Sequence, residues 1–145
     1  DEAGYVNGCI GKAEHLEPAS KYRFSLSLDM NQMKWGRDPE LYHRKTLEFL
    51  RIAKRQRKPF FLMANTHDPH RPFHGSPEEE GLSGFKEYFA KPSRVYSADE
   101  VRTPGFLSDC PEVREEVAHY YSSVRRCDDS VGAILAALAE EMSGA

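Results

Sequence analysis

The chain has 145 residues, 39% hydrophobic and 30% charged, with a net charge of −3 and a pI of about 6.1. That is long enough for one domain with a core. The balance is that of a soluble globular chain rather than a disordered one, with no basic footprint for nucleic acid. No apolar run approaches the ~20 residues that span a bilayer, and no signal peptide opens the sequence at Asp1-Glu2-Ala3-Gly4.

Residues 4–12 read as a short strand ending at Gly11-Lys12, followed by a polar, irregular stretch through Arg23. Phe24, Leu26 and Leu28 alternate with serines, which predicts a second short strand. Residues 29–37 read as loop. Asp38-Pro39 starts a helix, because Asp can cap and Pro at the first position loses no needed N–H. Tyr42, Thr46, Phe49, Leu50 and Ala53 share one face of that helix. Lys54, Arg55, Arg57 and Lys58 end it, complementing its dipole.

Phe60 to Ala64 is a continuous apolar run, expected to be a strand covered on both faces, as in a parallel sheet. Residues 75–108 are rich in Gly, Pro, Ser and charge and read as a long loop with a short helix near 84–90. Asp109 and Glu112 stand at capping-box spacing before a second helix. Its stripe of Val113, Val117, Tyr120, Tyr121, Val124, Cys127, Val131, Ile134, Leu135 and Leu138 holds helical period. About 30 residues make a rod of roughly 45 Å, expected to lie across a sheet. The cysteines, Cys9, Cys110 and Cys127, lack CxxC spacing; Cys9 and Cys127 are expected to act as small buried apolar residues.

Two strand ends carry chemistry. The loop Thr66-His67-Asp68-Pro69-His70-Arg71-Pro72-Phe73-His74 follows the apolar strand. His67, His70, His74 and Asp68 are metal-ligand types, but the separations are irregular and prolines intervene, so a closed site needs ligands from elsewhere. The alternatives are anion recognition, with His70 and Arg71 as donors, or a turn with incidental histidines. The second strand end is Gly11-Lys12-Ala13-Glu14-His15. Glycine allows close backbone approach, Lys12 is a compact cation for an oxyanion, and His15 is a candidate acid or base. If the strands are neighbours, Lys12, His15 and His70 converge.

The segment GYVNGCIGKAEHL resembles the Gly-Tyr…Ile-Gly-Lys…His segment of sulfatases. KPFFLMANTHDPHRPF resembles their apolar strand ending in His-x-x-His. DCPEVREEVAHYYSSVRRCDDSVGAILAAL resembles the long helix that follows. The HDPHR form is most similar to the heparan N-sulfatase, or sulfamidase, branch.

The resemblance implies an α/β fold: a partial alkaline-phosphatase-like sheet with flanking helices and a long C-terminal helix. It implies that residues 1–145 are an internal part of an N-terminal catalytic domain. Such enzymes hydrolyse sulfate esters or sulfamates, of small molecules or glycans, with a formylglycine made from Cys or Ser and a calcium ion that holds the sulfate. Family members are often secreted, periplasmic or lysosomal; the sequence assigns no compartment. Lys12 matches the lysine that binds sulfate and the formylglycine. His15 matches the histidine that helps expel sulfate, and His70 the one that contacts sulfate near the leaving atom. Arg71 is implied to line the substrate pocket, and His67 and Asp68 to hold the loop.

The departures are specific. Ala13 and Glu14 both intervene where the family usually has one residue. The formylglycine signature Cys/Ser-x-Pro-x-Arg is absent, since Cys110-Pro111-Glu112-Val113-Arg114 has its proline one place early. The paired aspartates and the Asp-Asn pair that hold calcium are also missing, so no metal ligand is assigned. The expectation is therefore a segment inactive on its own, with sheet edges and apolar faces uncovered. Alternatives are a phosphodiesterase or phosphonate hydrolase of the same superfamily, or a non-catalytic anion-binding module.

Overall fold

The computed structural model describes residues 3–18 and 21–143; the side chains of Ser83, Phe85 and Lys86 lie outside that description. Three parallel strands, β1 (Val6–Ile10), β2 (Leu26–Leu28) and β3 (Phe60–Ala64), form one sheet in the order β2-β1-β3. Helix α1 (Pro39–Gln56) crosses from β2 to β3, and α2 (Pro77–Gly81) and α3 (Pro111–Ser143) follow. This is an α/β architecture with a small parallel sheet, flanking helices and a long C-terminal helix.

The start of α1 follows from its sequence. Asp38 caps it by accepting from the Leu41 N–H at 3.1 Å, and Pro39 sits in the first turn. The expected face is buried, with Leu41 and Leu47 added to it. Tyr42 joins Ile10, Leu28 and Met33 in one cluster, and Phe49, Leu50 and Ala53 join Val6 in another. At the other end Lys54 and Arg51 pair with Glu141 of α3 at 3.1 and 3.7 Å.

β1 and β3 run in register, Val6 beside Phe60 and Ile10 beside Ala64, so both chains leave the sheet at the same end. There Asn65 binds the exit of β1 twice: its N–H donates to the Ile10 carbonyl at 2.8 Å, and its amide Nδ2 donates to the Gly11 carbonyl at 2.9 Å. Gly11 has φ +72, and a Cβ there would lie 2.3 Å from the Asn65 carbonyl oxygen. Gly11→Ala is expected to lose about 2–4 kcal/mol through left-handed strain and overlap with backbone. A fall in urea midpoint at constant slope would record it; an unchanged midpoint would contradict it.

Several expectations are corrected. β3 is not covered on both faces: Phe60 and Phe61 are 40% and 54% exposed, and the strand forms one edge of the described sheet. Phe60 and Leu62 lean on the Phe49 cluster, and alternation along the strand turns Phe61 the other way. The α3 stripe is also displaced. Tyr120, Tyr121, Val124, Val131 and Leu135 are exposed, and the buried face is Val117, Ala118, Ser122, Ser123, Arg126, Ser130 and Ala137. The small serines let loop backbone approach, with the His74 N–H donating to Ser123 Oγ at 2.7 Å and the Tyr96 N–H to Ser122 Oγ at 3.0 Å. Asp109 stands two residues ahead of α3 and takes Arg114 through Nε at 2.6 Å and Nη2 at 2.7 Å.

The long 75–108 stretch holds α2, capped by Ser76, and a 3-10 turn at Ser83–Tyr88, close to the expected short helix. The 29–37 stretch contains a 3-10 turn, Lys34–Gly36, and two fully buried side chains, Met33 and Arg37. Cys9 is buried as expected, whereas Cys127 is half-buried, its Sγ 3.2 Å from Thr66 Oγ1.

Candidate functional site

The two strand exits meet. Lys12 follows Gly11 in a left-handed conformation, φ 57 and ψ 23, and stands half-buried. Across from it, residues 65–74 leave β3 and return toward α3. The His70 N–H donates to the His67 carbonyl at 2.9 Å, closing a turn that brings the two imidazoles together, tilted 44° with centroids 4.8 Å apart. Burial pushes the His67 imidazole down to about 4. The charges of Arg37, His70 and Lys12 push the same way, against a backbone hydrogen bond at Arg71 that favours the proton. Lys12, His67 and His70 thus share one electrostatic neighbourhood at the carboxyl ends of adjacent parallel strands, where α/β sheets bind ligands.

His70 is the exposed member of the group. Its Nδ1 lies 2.7 Å from the Arg71 carbonyl. A carbonyl can only accept, so Nδ1 carries the proton and Nε2 is the free edge. His67 is neutral well above pH 4, and its buried Nδ1 has no hydrogen-bond partner among the described residues.

The other expected residues lie differently. His15 ends a single 3-10 turn, Ala13–His15; its side chain is 69% exposed and faces Glu14 at 3.8 Å. Arg71 lies over the Phe73 ring at 4.5 Å and pairs with Glu116 of α3 and with Glu78 of α2 at 3.5 Å. Its charge is already matched by two carboxylates. His74 Nδ1 meets Glu79 at 3.0 Å.

Asp68 sits at the centre of a buried charge cluster that sequence reading did not resolve. Arg126 of α3 grips it with Nε at 2.5 Å and Nη2 at 3.0 Å, and donates through Nη1 to Glu79 at 3.0 Å. Arg37 approaches the same two carboxylates at 3.4 and 3.8 Å. Two guanidinium groups therefore face two carboxylates, the balance that makes full burial of charge tolerable. Phe89 covers the cluster, 4.8 Å from Arg37 and 5.9 Å from Arg126. Burial alone would raise the Glu79 carboxyl; hydrogen bonds from His74 and the Gly75 N–H, with the Arg126 charge, hold it at about 2.

A family model described as sulfatase matches residues 2–144. The chain belongs to the sulfatase family. It is 29% identical over 145 aligned positions to the N-sulphoglucosamine sulphohydrolase of Homo sapiens, an alignment covering 92% of this chain and 28% of that protein. The sulfatase-family chain thus spans little more than a quarter of the length of the curated relative it matches.

Calcium and formylglycine do not fit the residues present. Among the described residues no group of three or more His, Cys, Asp or Glu could hold a metal ion. Asp68 and Glu79 are held by guanidinium groups, and Asp128 and Asp129 pair with Arg125, both at 3.1 Å. Cys110 and Pro111 open α3 without the modification signature. No helix among the described residues is long and apolar enough to cross a membrane.

Proposed function

We propose that this chain is an internal part of a sulfatase catalytic domain and supplies one wall of the sulfate site of a sulfuric ester or sulfamate hydrolase. The nucleophile and the metal ligands would come from sequence outside residues 1–145, so the chain alone has no turnover. The observation that carries this reading is the in-register exit of β1 and β3 at one end of the sheet, where the His67 and His70 ring centroids lie 4.8 Å apart and the Lys12 charge acts on His67. Family membership and the similarity to a protein named as a sulphohydrolase of N-sulphoglucosamine support a sulfated substrate, with an amino-sugar sulfamate as the specific form.

In this reading the Lys12 ammonium holds a sulfate oxygen and stabilises charge that grows there in the transition state. His70, its Nδ1 committed to the Arg71 carbonyl, presents Nε2 to the leaving oxygen or nitrogen and donates a proton when charged. His67, neutral well above pH 4, lends shape without adding positive charge. His15, exposed beyond Lys12, would join only with a change of rotamer or with neighbours from the rest of the protein.

The test is titration of the chain with inorganic sulfate and a short N-sulfated heparin fragment, followed by NMR. Saturable shifts at Lys12 and His70 that vanish in Lys12→Ala are expected, without release of sulfate from the fragment. Shifts that persist in Lys12→Ala, or fail to appear in the unaltered chain, would overturn the assignment. Turnover by the chain alone would overturn the claim that chemistry needs further sequence.

A further inference from the structure

Arg37 is fully buried, yet among the described residues its guanidinium makes one hydrogen bond: Nη2 donates to the His70 carbonyl at 2.9 Å. Its Nε and Nη1 have no hydrogen-bond partner and only the looser ion contacts with Asp68 and Glu79. Arg126, buried beside it, is the opposite case, with its donors on Asp68, Glu79 and the Ala90 carbonyl. Burial lowers the Arg37 pKa below its ordinary value, with Arg126 acting the same way against the two carboxylates. A cation placed only to neutralise Asp68 and Glu79 would aim its donors at them. Arg37 instead aims its one well-formed bond at the backbone of a candidate site residue 33 positions away.

We infer that Arg37 is a positioning residue for His70, fixing through the His70 carbonyl the direction in which the imidazole Nε2 faces an anion. The inference rests on the reading of His70 as a sulfate contact. Two constraints act in series. Arg37 holds the carbonyl and hence the backbone of residue 70, and the Arg71 carbonyl, 2.7 Å from Nδ1, holds the ring. If the first is lost the His70 carbonyl loses that hold, and the geometry of the second loosens with it. Arg37 is itself well anchored: the Ala90 N–H donates to its carbonyl at 3.3 Å, its guanidinium lies on Phe89, and Asp38 begins α1 directly after it. Arg126 fixes where the loop lies through Asp68; Arg37 fixes how residue 70 is turned within it.

The experiment compares the full 145-residue chain with Arg37→Lys, which keeps the buried charge but not the planar fork. Imidazole nitrogen NMR reads the His70 tautomer, and sulfate titration reads affinity. In the unaltered chain His70 is expected in the Nδ1–H form. In folded Arg37→Lys it is expected to move to the tautomer mixture of a free imidazole, with sulfate affinity lower by roughly tenfold, while amide signals of β1 and α1 stay in place. An unchanged tautomer and affinity in the folded variant would overturn the inference. If Arg37→Lys does not fold, coupling across the hydrogen bond from Arg37 Nη2 to the His70 carbonyl carbon decides in the unaltered chain: its presence supports the inference and its absence sinks it. Should sulfate leave His70 of the unaltered chain undisturbed while Arg37→Lys still scrambles its tautomer, the proposed function fails and the positioning role stands.

Discussion

Arg126→Met is expected to cost about 3–5 kcal/mol of stability. The side chain is fully buried, and methionine replaces its length but not its donors. Asp68, 1% exposed at its side chain, would lose a two-pronged partner and keep, among the described residues, Arg37 at 3.4 Å. Glu79 would lose its 3.0 Å donor and retain His74 and the Gly75 N–H. An uncompensated carboxylate in a dry site is among the costliest single defects a fold can carry. Neutralising the carboxylate as well removes the imbalance. Arg126→Met with Asp68→Asn is therefore expected to lose less than the sum of the two single losses, by roughly 1–3 kcal/mol. Urea unfolding followed at 222 nm measures all three variants. A loss below about 1 kcal/mol for Arg126→Met would mean that the cluster holds water or rearranges.

Acid should weaken the fold in two successive windows. The folded His67 pKa, about 4, lies below its ordinary 6.5, and the folded Glu79 pKa, about 2, below its ordinary 4.5. In both cases the unfolded chain binds the proton first, so stability falls as pH falls. The His67 contribution is fully present above pH 6.5 and lost by about pH 4. The Glu79 contribution is fully present above pH 4.5 and lost toward pH 2. Each is on the order of 3 kcal/mol. The physical reasons differ. His67 resists protonation because it is buried and feels the charges of Arg37 and Lys12, whereas Glu79 resists it because His74, the Gly75 N–H and Arg126 hold the anion. Urea midpoints measured from pH 8 to pH 2 should fall in both windows. His67→Phe is expected to flatten the upper window and Glu79→Gln the lower. A slope between pH 6.5 and 4 that survives His67→Phe would assign that window elsewhere.

Local order was readable from residue types. The Asp38-Pro39 cap, the 3.6-residue spacing of Tyr42, Thr46, Phe49, Leu50 and Ala53, and the apolar run after Pro59 each name their element, because caps, periods and breakers act within a few residues. Both strand-end motifs were also visible, since Gly11-Lys12 and His67-Asp68-Pro69-His70 are unusual at such places. Less of the α3 packing could be read. Its apolar residues were expected inside, but Ser122, Ser123, Arg126 and Ser130 face inward, because α3 packs there against loop backbone and buried charge.

The sequence by itself determined the parallel α/β elements, the family, and the residue types at the two strand exits. Only the tertiary structure decided that Lys12, His67 and His70 share a neighbourhood. It also decided that Arg71 is held by Glu78 and Glu116, and that Arg37 and Arg126 bury themselves against Asp68 and Glu79. The reason is range. A cap or a period is complete within one turn, whereas the partners in the Arg126 cluster stand 47 and 58 residues apart. Whether a buried charge is compensated depends on which distant groups the fold brings to it.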